Sequence, residues 1–62
     1  MISFFYASKR IIPFSSINKI DEGSDGSAMV YLTDGSQLGL SPSQLNNLKV
    51  ALSAGDMLAI LD

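Results

Sequence analysis

Apolar side chains occupy both alternating faces of the first stretch, with Ile2, Phe4 and Tyr6 on one and Phe5 and Ala7 on the other. With its aromatic and β-branched content, that pattern predicts a strand over residues 2–7. Ser8, Lys9 and Arg10 are polar enough to turn the chain. A second strand is expected over residues 10–14, where Pro13, which has no N–H to donate, requires a sheet edge or a strand end. Residues 17–21 form a third short candidate. They alternate Ile17, Lys19 and Asp21 against Asn18 and Ile20, either as a strand of their own or as a continuation of the second through a bulge at Ser15-Ser16.

Residues 21–27 (Asp-Glu-Gly-Ser-Asp-Gly-Ser) are a loop by composition. Strands follow over residues 28–33 and 36–40. Asp34-Gly35 between them predicts a two-residue type I′ hairpin turn. That turn would oppose Thr33 to Ser36, Leu32 to Gln37, Tyr31 to Leu38, Val30 to Gly39 and Met29 to Leu40. Opposed residues share a face. The core face is then Met29, Tyr31, Leu38 and Leu40. The other face, with Val30 and Leu32 beside Gly39 and Gln37, suits contact with a second subunit, and Gly39 lets another backbone approach.

Ser41 is a fit N-cap, with Pro42 at the first helical position and Gln44 completing a capping box. Leu45, Leu48 and Leu52 recur at helical spacing, Lys49 lies near the C-terminal end, and Gly55 is the natural stop. The apolar tail over residues 57–61 continues beyond that stop as a strand or a helical extension. Met57, Leu58 and Ile60 make it a candidate intersubunit element.

Sixty-two residues allow a single small domain. With no cysteine and no histidine, disulfides, thiolate sites and the commonest transition-metal sites are excluded. Domains this small usually draw extra stability from such staples or from a partner subunit. Twenty-four residues are large and apolar, counting Ile, Leu, Met, Phe, Val and Tyr. One thin layer does not enclose them all, so self-association is expected. Net charge is −2, and the only cations are Lys9, Arg10, Lys19 and Lys49. This is a poor endowment for duplex nucleic acid, whose binding rests on phosphate neutralisation. No stretch reads as a signal peptide or membrane span, so a cytoplasmic protein is expected.

Catalytic chemistry finds little footing. Ser16 and Lys19 match a Ser-x-x-Lys spacing that works on a helix, but in a strand the two side chains leave on opposite sides. Asp21, Asp25 and Gly26 fall at the first, fifth and sixth places of a calcium loop. Gly23 and Leu32 stand where two further ligands belong, so no metal site is expected. Gly23, Ser24, Gly26 and Ser27 lack any phosphate-binding fingerprint, and acids flank them. Tyr6, Lys9 and Arg10 are the best ligand-binding candidates: an aromatic ring beside two cations suits a base-bearing anion.

The order "IIPFSSINKI", "MVYLTDGSQLGL" and a Leu-spaced helix, over residues 11–52, resembles the front part of a LytTR DNA-binding domain. The resemblance implies a DNA-binding regulator, although the acidic loop at residues 21–25 stands where that family approaches DNA. The residues themselves point to an α+β protein: a small antiparallel sheet of four or five strands carrying one helix, self-associating. It is expected to be no enzyme and to need no cofactor. Its expected role is stoichiometric binding, as an adaptor, inhibitor or sequestering protein. A sponge for a nucleotide-like anion held between subunits is the alternative, and a LytTR-like regulator the second alternative.

Overall fold

The computed structural model describes residues 3–62. The chain runs β1 Phe4–Ala7, β2 Arg10–Pro13, a 3₁₀ turn Phe14–Ser16, β3 Ile17–Glu22, β4 Ala28–Leu32, β5 Gln37–Leu40, α1 Pro42–Ala54 and β6 Leu58–Ile60. The α+β class agrees with the sequence, but the single sheet of four or five strands does not form. The described residues form two three-stranded sheets, ordered β2-β1-β6 and β3-β4-β5. The Ile2 end of the expected first strand lies outside the described residues. The division falls at Pro13, which is extended at φ −63° and ψ 136° and leads into the 3₁₀ turn instead of a bulge. Phe14 in that turn packs edge-on against Phe5 of β1, with centroids 6.3 Å apart and planes at 85°. The tail is a strand: β6 runs parallel to β1, pairing Phe4 with Leu58 and Tyr6 with Ile60.

The β4–β5 hairpin differs from its expected register by one residue. Leu32 N–H donates to the Ser36 carbonyl and Gly35 N–H to the Leu32 carbonyl, so the loop is Thr33-Asp34-Gly35. Gly35 takes φ +89°. This is a three-residue loop, a tight turn followed by a left-handed residue, rather than a two-residue type I′ turn. Val30 now opposes Leu38, and Ala28 opposes Leu40. A one-residue slip exchanges the faces of a strand. Val30 and Leu32, expected on an intersubunit face, are therefore buried in the chain's own core with Leu38 and Leu40. Met29 and Tyr31, expected inside, lie on the outer face with Gln37 and Gly39.

The core joins both sheets and the helix. Phe5, Ala7, Ile12 and Ala59 come from the first sheet; Ala28, Val30, Leu32, Leu38 and Leu40 come from the second. Leu45, Leu48 and Ala51 of α1 close it. The helix begins as its sequence requires. Gln44 N–H donates to Ser41 Oγ at 3.2 Å, and Ser41 N–H donates to Gln44 Oε1 at 2.8 Å. It ends in a Schellman motif: Gly55 takes φ +74°, Asp56 N–H donates to the Ala51 carbonyl, and Gly55 N–H to that of Leu52. Leu52, although it continues the helical spacing of Leu45 and Leu48, is exposed, and Ala51 takes the buried position. Asn47 Nδ2 donates to the Leu61 carbonyl and fixes the tail to the helix.

The type I′ geometry occurs instead at Ser8-Lys9, where both residues have positive φ, 54° and 63°. Left-handed backbone costs a residue with a Cβ on the order of 1 kcal/mol, and Asn-Gly is the pair that suits this turn. Replacing Ser8-Lys9 by Asn-Gly is expected to stabilise the chain by about 1 kcal/mol, raising Tm by roughly 4–8 °C. Thermal unfolding followed by circular dichroism checks it. An unchanged or lower Tm contradicts the strain argument.

Candidate functional site

Cross-strand pairing assigns the faces of the first sheet. Phe5 pairs with Ile12 and Ala59, all buried, and so defines the inner face. The outer face has two rows across the three strands: Ile11–Tyr6–Ile60 and Pro13–Phe4–Leu58. None of the six side chains carries a charge. Four of them are large apolar groups left in solvent: Ile11 is 68% exposed, Ile60 62%, Leu58 48% and Phe4 46%. The usual sheet with one wet face alternates apolar-in with polar-out, so an outer face of this composition is the anomaly of the fold.

Helix α1 borders the same face. Val50, Ala51, Asn47 and Asp56 form with Leu58 and Ile60 a groove of about 370 Å³ between helix and strand. Val50 is itself exposed. With Phe4, Ile11, Leu58 and Ile60, Val50 brings the exposed apolar surface to on the order of 600 Å², the top of the range for the largest patch on a monomer. Leu58 and Ile60 were legible from sequence as candidate interface residues. Phe4, Ile11 and Val50 were not. The signal for the first two was the Ser8-Lys9 turn, which opposes Ile11 to Tyr6 and sets both beside Phe4.

Of the other expected interface residues, Met57 is exposed beside β6, and Gly39 faces open space on the outer side of the second sheet. The ligand-binding trio is not gathered. Tyr6 lies on the outer face of the first sheet, Lys9 in the turn. Arg10 opposes the inward-facing Ala7, which sets it on the opposite face from Tyr6. Arg10 borders a smaller cleft of about 140 Å³ with Ser16, Thr33 and Asp34. The outer face of the second sheet has a cation–π pair, with Lys19 Nζ 4.9 Å from the Tyr31 ring centre. Lys19 also reaches Asp21 at 3.6 Å, and Lys49 of α1 bonds Glu22 at 2.8 Å. All four charged groups are well exposed, so each pair contributes little.

The acidic residues near the glycines serve the backbone. Asp25 Oδ1 accepts from the Ser27 hydroxyl and N–H, and Asp34 Oδ1 accepts from the Ser36 hydroxyl and N–H. The chain thus uses Asp-Gly-Ser twice as one turn motif, with Gly26 and Gly35 both at positive φ. Among the described residues, no group of three or more metal-ligating side chains is placed to hold an ion. The serine hydrogen bonds hold both carboxyls below the ordinary value of 3.8, Arg10 adding a smaller pull at Asp34. A folded-state value depressed below the unfolded one gives stability that is present above pH 3.8 and is lost as pH falls through the folded value. Denaturant midpoints are therefore expected to fall below about pH 4. The fall should be shallower in Asp25→Asn/Asp34→Asn, and an equally steep fall would contradict the assignment.

No helix among the described residues is long and apolar enough to cross a membrane. No protein-family model, curated protein or solved structure matches the chain.

Proposed function

We propose that this chain is a non-catalytic binding protein that acts as a homo-oligomer, its copies meeting through the outer face of the β2-β1-β6 sheet. One observation carries the reading: that face is continuous, apolar and free of charge across all three strands. With Val50 of α1, its exposed apolar surface, on the order of 600 Å² before Tyr6 and Pro13 are added, approaches the roughly 800 Å² per partner of a standard interface. A face without charge meets its own copy with no like-charge repulsion, although each chain has a net charge of −2. Self-association would leave the outer face of β3-β4-β5, with Lys19, Met29, Tyr31 and Gly39, free to engage a protein partner in stoichiometric binding.

Native mass spectrometry of gently purified protein tests both halves. The expected result is a bare multiple of the chain mass. A multiple with a discrete extra mass of small-molecule size would favour the anion-holding alternative near Lys9 and Arg10. A single-chain mass at concentrations of tens of micromolar would contradict the self-association.

A further inference from the structure

We infer that the free edge of β6, with the groove beside it, takes an extended peptide segment of a partner protein as an added strand, one that alternates apolar side chains and ends in basic residues. The register of β6 on β1 decides which backbone groups are available. Phe4 N–H donates to the Met57 carbonyl and Leu61 N–H to that of Tyr6, while Phe4 opposes Leu58 and Tyr6 opposes Ile60. Successive residues of a strand turn their backbone polar groups to opposite sides. Met57, Ala59 and Leu61 therefore face β1, and Leu58 and Ile60 each turn an N–H and a carbonyl away from it. Among the described residues no strand lies on that far side.

Unpaired edges template a further strand, and proline, charge or a bulge normally blunts them. β2 has Pro13, and β3 has Lys19 with a register shift beside it. β5 contains Gly39, which weakens a strand. β6, Leu58-Ala59-Ile60, has none of these. The groove sets what the added strand should look like. Opposed residues share a face, so two alternate residues of the incoming strand join Leu58 and Ile60 on the apolar outer face. The residue between them turns toward α1, where Asn47 and Val50 line the groove. Asp56 lines it too, and no lysine or arginine does. A strand antiparallel to β6 brings its C-terminal end to Asp56, which favours a cation there. A second copy fits this edge worse. The two-fold that pairs all four groups of β6 with those of another β6 centres on Ala59 and sets Asp56 against the second copy's Asp62. Like charges directly opposite are destabilising. Self-association through the outer-face side chains leaves these in-plane groups open, so the two contacts stand or fall separately.

The probe is the blocked peptide acetyl-Thr-Ile-Thr-Val-Thr-Lys-Lys-amide, titrated into isotopically labelled protein held at constant concentration and followed by amide chemical shifts. Saturable shifts are expected at Leu58, Ala59, Ile60, Val50 and Asn47. N-methylation of the peptide's Ile and Val amides, which face β6, is expected to weaken binding by roughly tenfold or more, since it removes two hydrogen bonds. N-methylation of the intervening Thr amide, which faces away, is expected to change it little. Asp56 serves the fold through its N–H, which donates to the Ala51 carbonyl, so Asp56→Lys keeps the helix end. That variant is expected to bind the peptide about two- to fivefold more weakly and to prefer a version ending in Glu-Glu. Equal binding by the two methylated peptides would mean side-chain capture without strand addition and overturn the proposal, as would no binding of the parent peptide. Slowed amide exchange at Leu58 and Ile60 on concentrating the protein alone would give the edge to a second copy and overturn it as well.

Discussion

Leu32→Asp is expected to abolish the fold at 25 °C, whereas Met29→Lys on the same strand leaves it intact. Leu32 is 5% exposed and faces Ile17 across the β3–β4 pair. Removing a buried leucine costs about 2–5 kcal/mol, and an unpaired carboxylate placed there adds several kcal/mol more. A domain of this size rarely holds more than about 3–5 kcal/mol in its core, so the loss exceeds the supply. Met29 points the other way, beside Asp21 on the outer face, where a lysine finds solvent and an opposite charge. The pair of variants reads the hairpin register directly. Under a two-residue turn at Asp34-Gly35 the roles would be exchanged, with Met29→Lys unfolding the chain and Leu32→Asp tolerated. Far-UV circular dichroism and a denaturant titration separate the two outcomes.

Ile60→Asp is expected to weaken self-association by on the order of 10⁴-fold without unfolding the chain. Ile60 is 62% exposed in the single chain, so folding draws little on it. Burying its exposed apolar area against a second copy contributes about 3 kcal/mol at ~25 cal/mol per Å². A two-fold pair doubles that loss, since both copies carry the substitution, and each 1.4 kcal/mol is tenfold in affinity. Leu58→Asp acts in the same direction through the neighbouring row. Sedimentation velocity across a concentration series measures the shift, and circular dichroism verifies the fold. An unchanged association constant in both variants would remove the β6 side of this face from the interface.

Elements carried by local chemistry were legible in the sequence. The capping box of Ser41 and Gln44, Pro42 at the helix start and the Gly55 stop are short-range devices, and each appears where its residues require it. Strand positions were equally legible. Pairing was harder, because it depends on loop geometry that composition leaves open. Asp34-Gly35 is common to the two-residue turn and to the three-residue loop that forms, and the difference of one residue inverted the faces of β4. The parallel pairing of β6 with β1 joins segments more than fifty residues apart, and no local signal encodes it. The split into two sheets follows from the 3₁₀ turn after Pro13, where the sequence pattern was equally compatible with a bulge. At the candidate site, the tail residues Leu58 and Ile60 stood out because they lie beyond the helix stop with no partner in view. Phe4 in β1 and Ile11 in β2 were hidden because each has an apolar neighbour on the other face, and only the register separates buried Phe5 and Ile12 from exposed Phe4 and Ile11.

The most direct test of the proposed interface is an isotope-filtered nuclear Overhauser measurement on an equal mixture of labelled and unlabelled chain, at a concentration where hydrodynamics gives its size. The expected result is a set of intermolecular cross-peaks confined to Phe4, Tyr6, Ile11, Val50, Leu58 and Ile60. Intermolecular cross-peaks from Met29, Tyr31 and Gly39 instead, or none at all, would contradict the claim that the outer face of β2-β1-β6 is where a second copy sits.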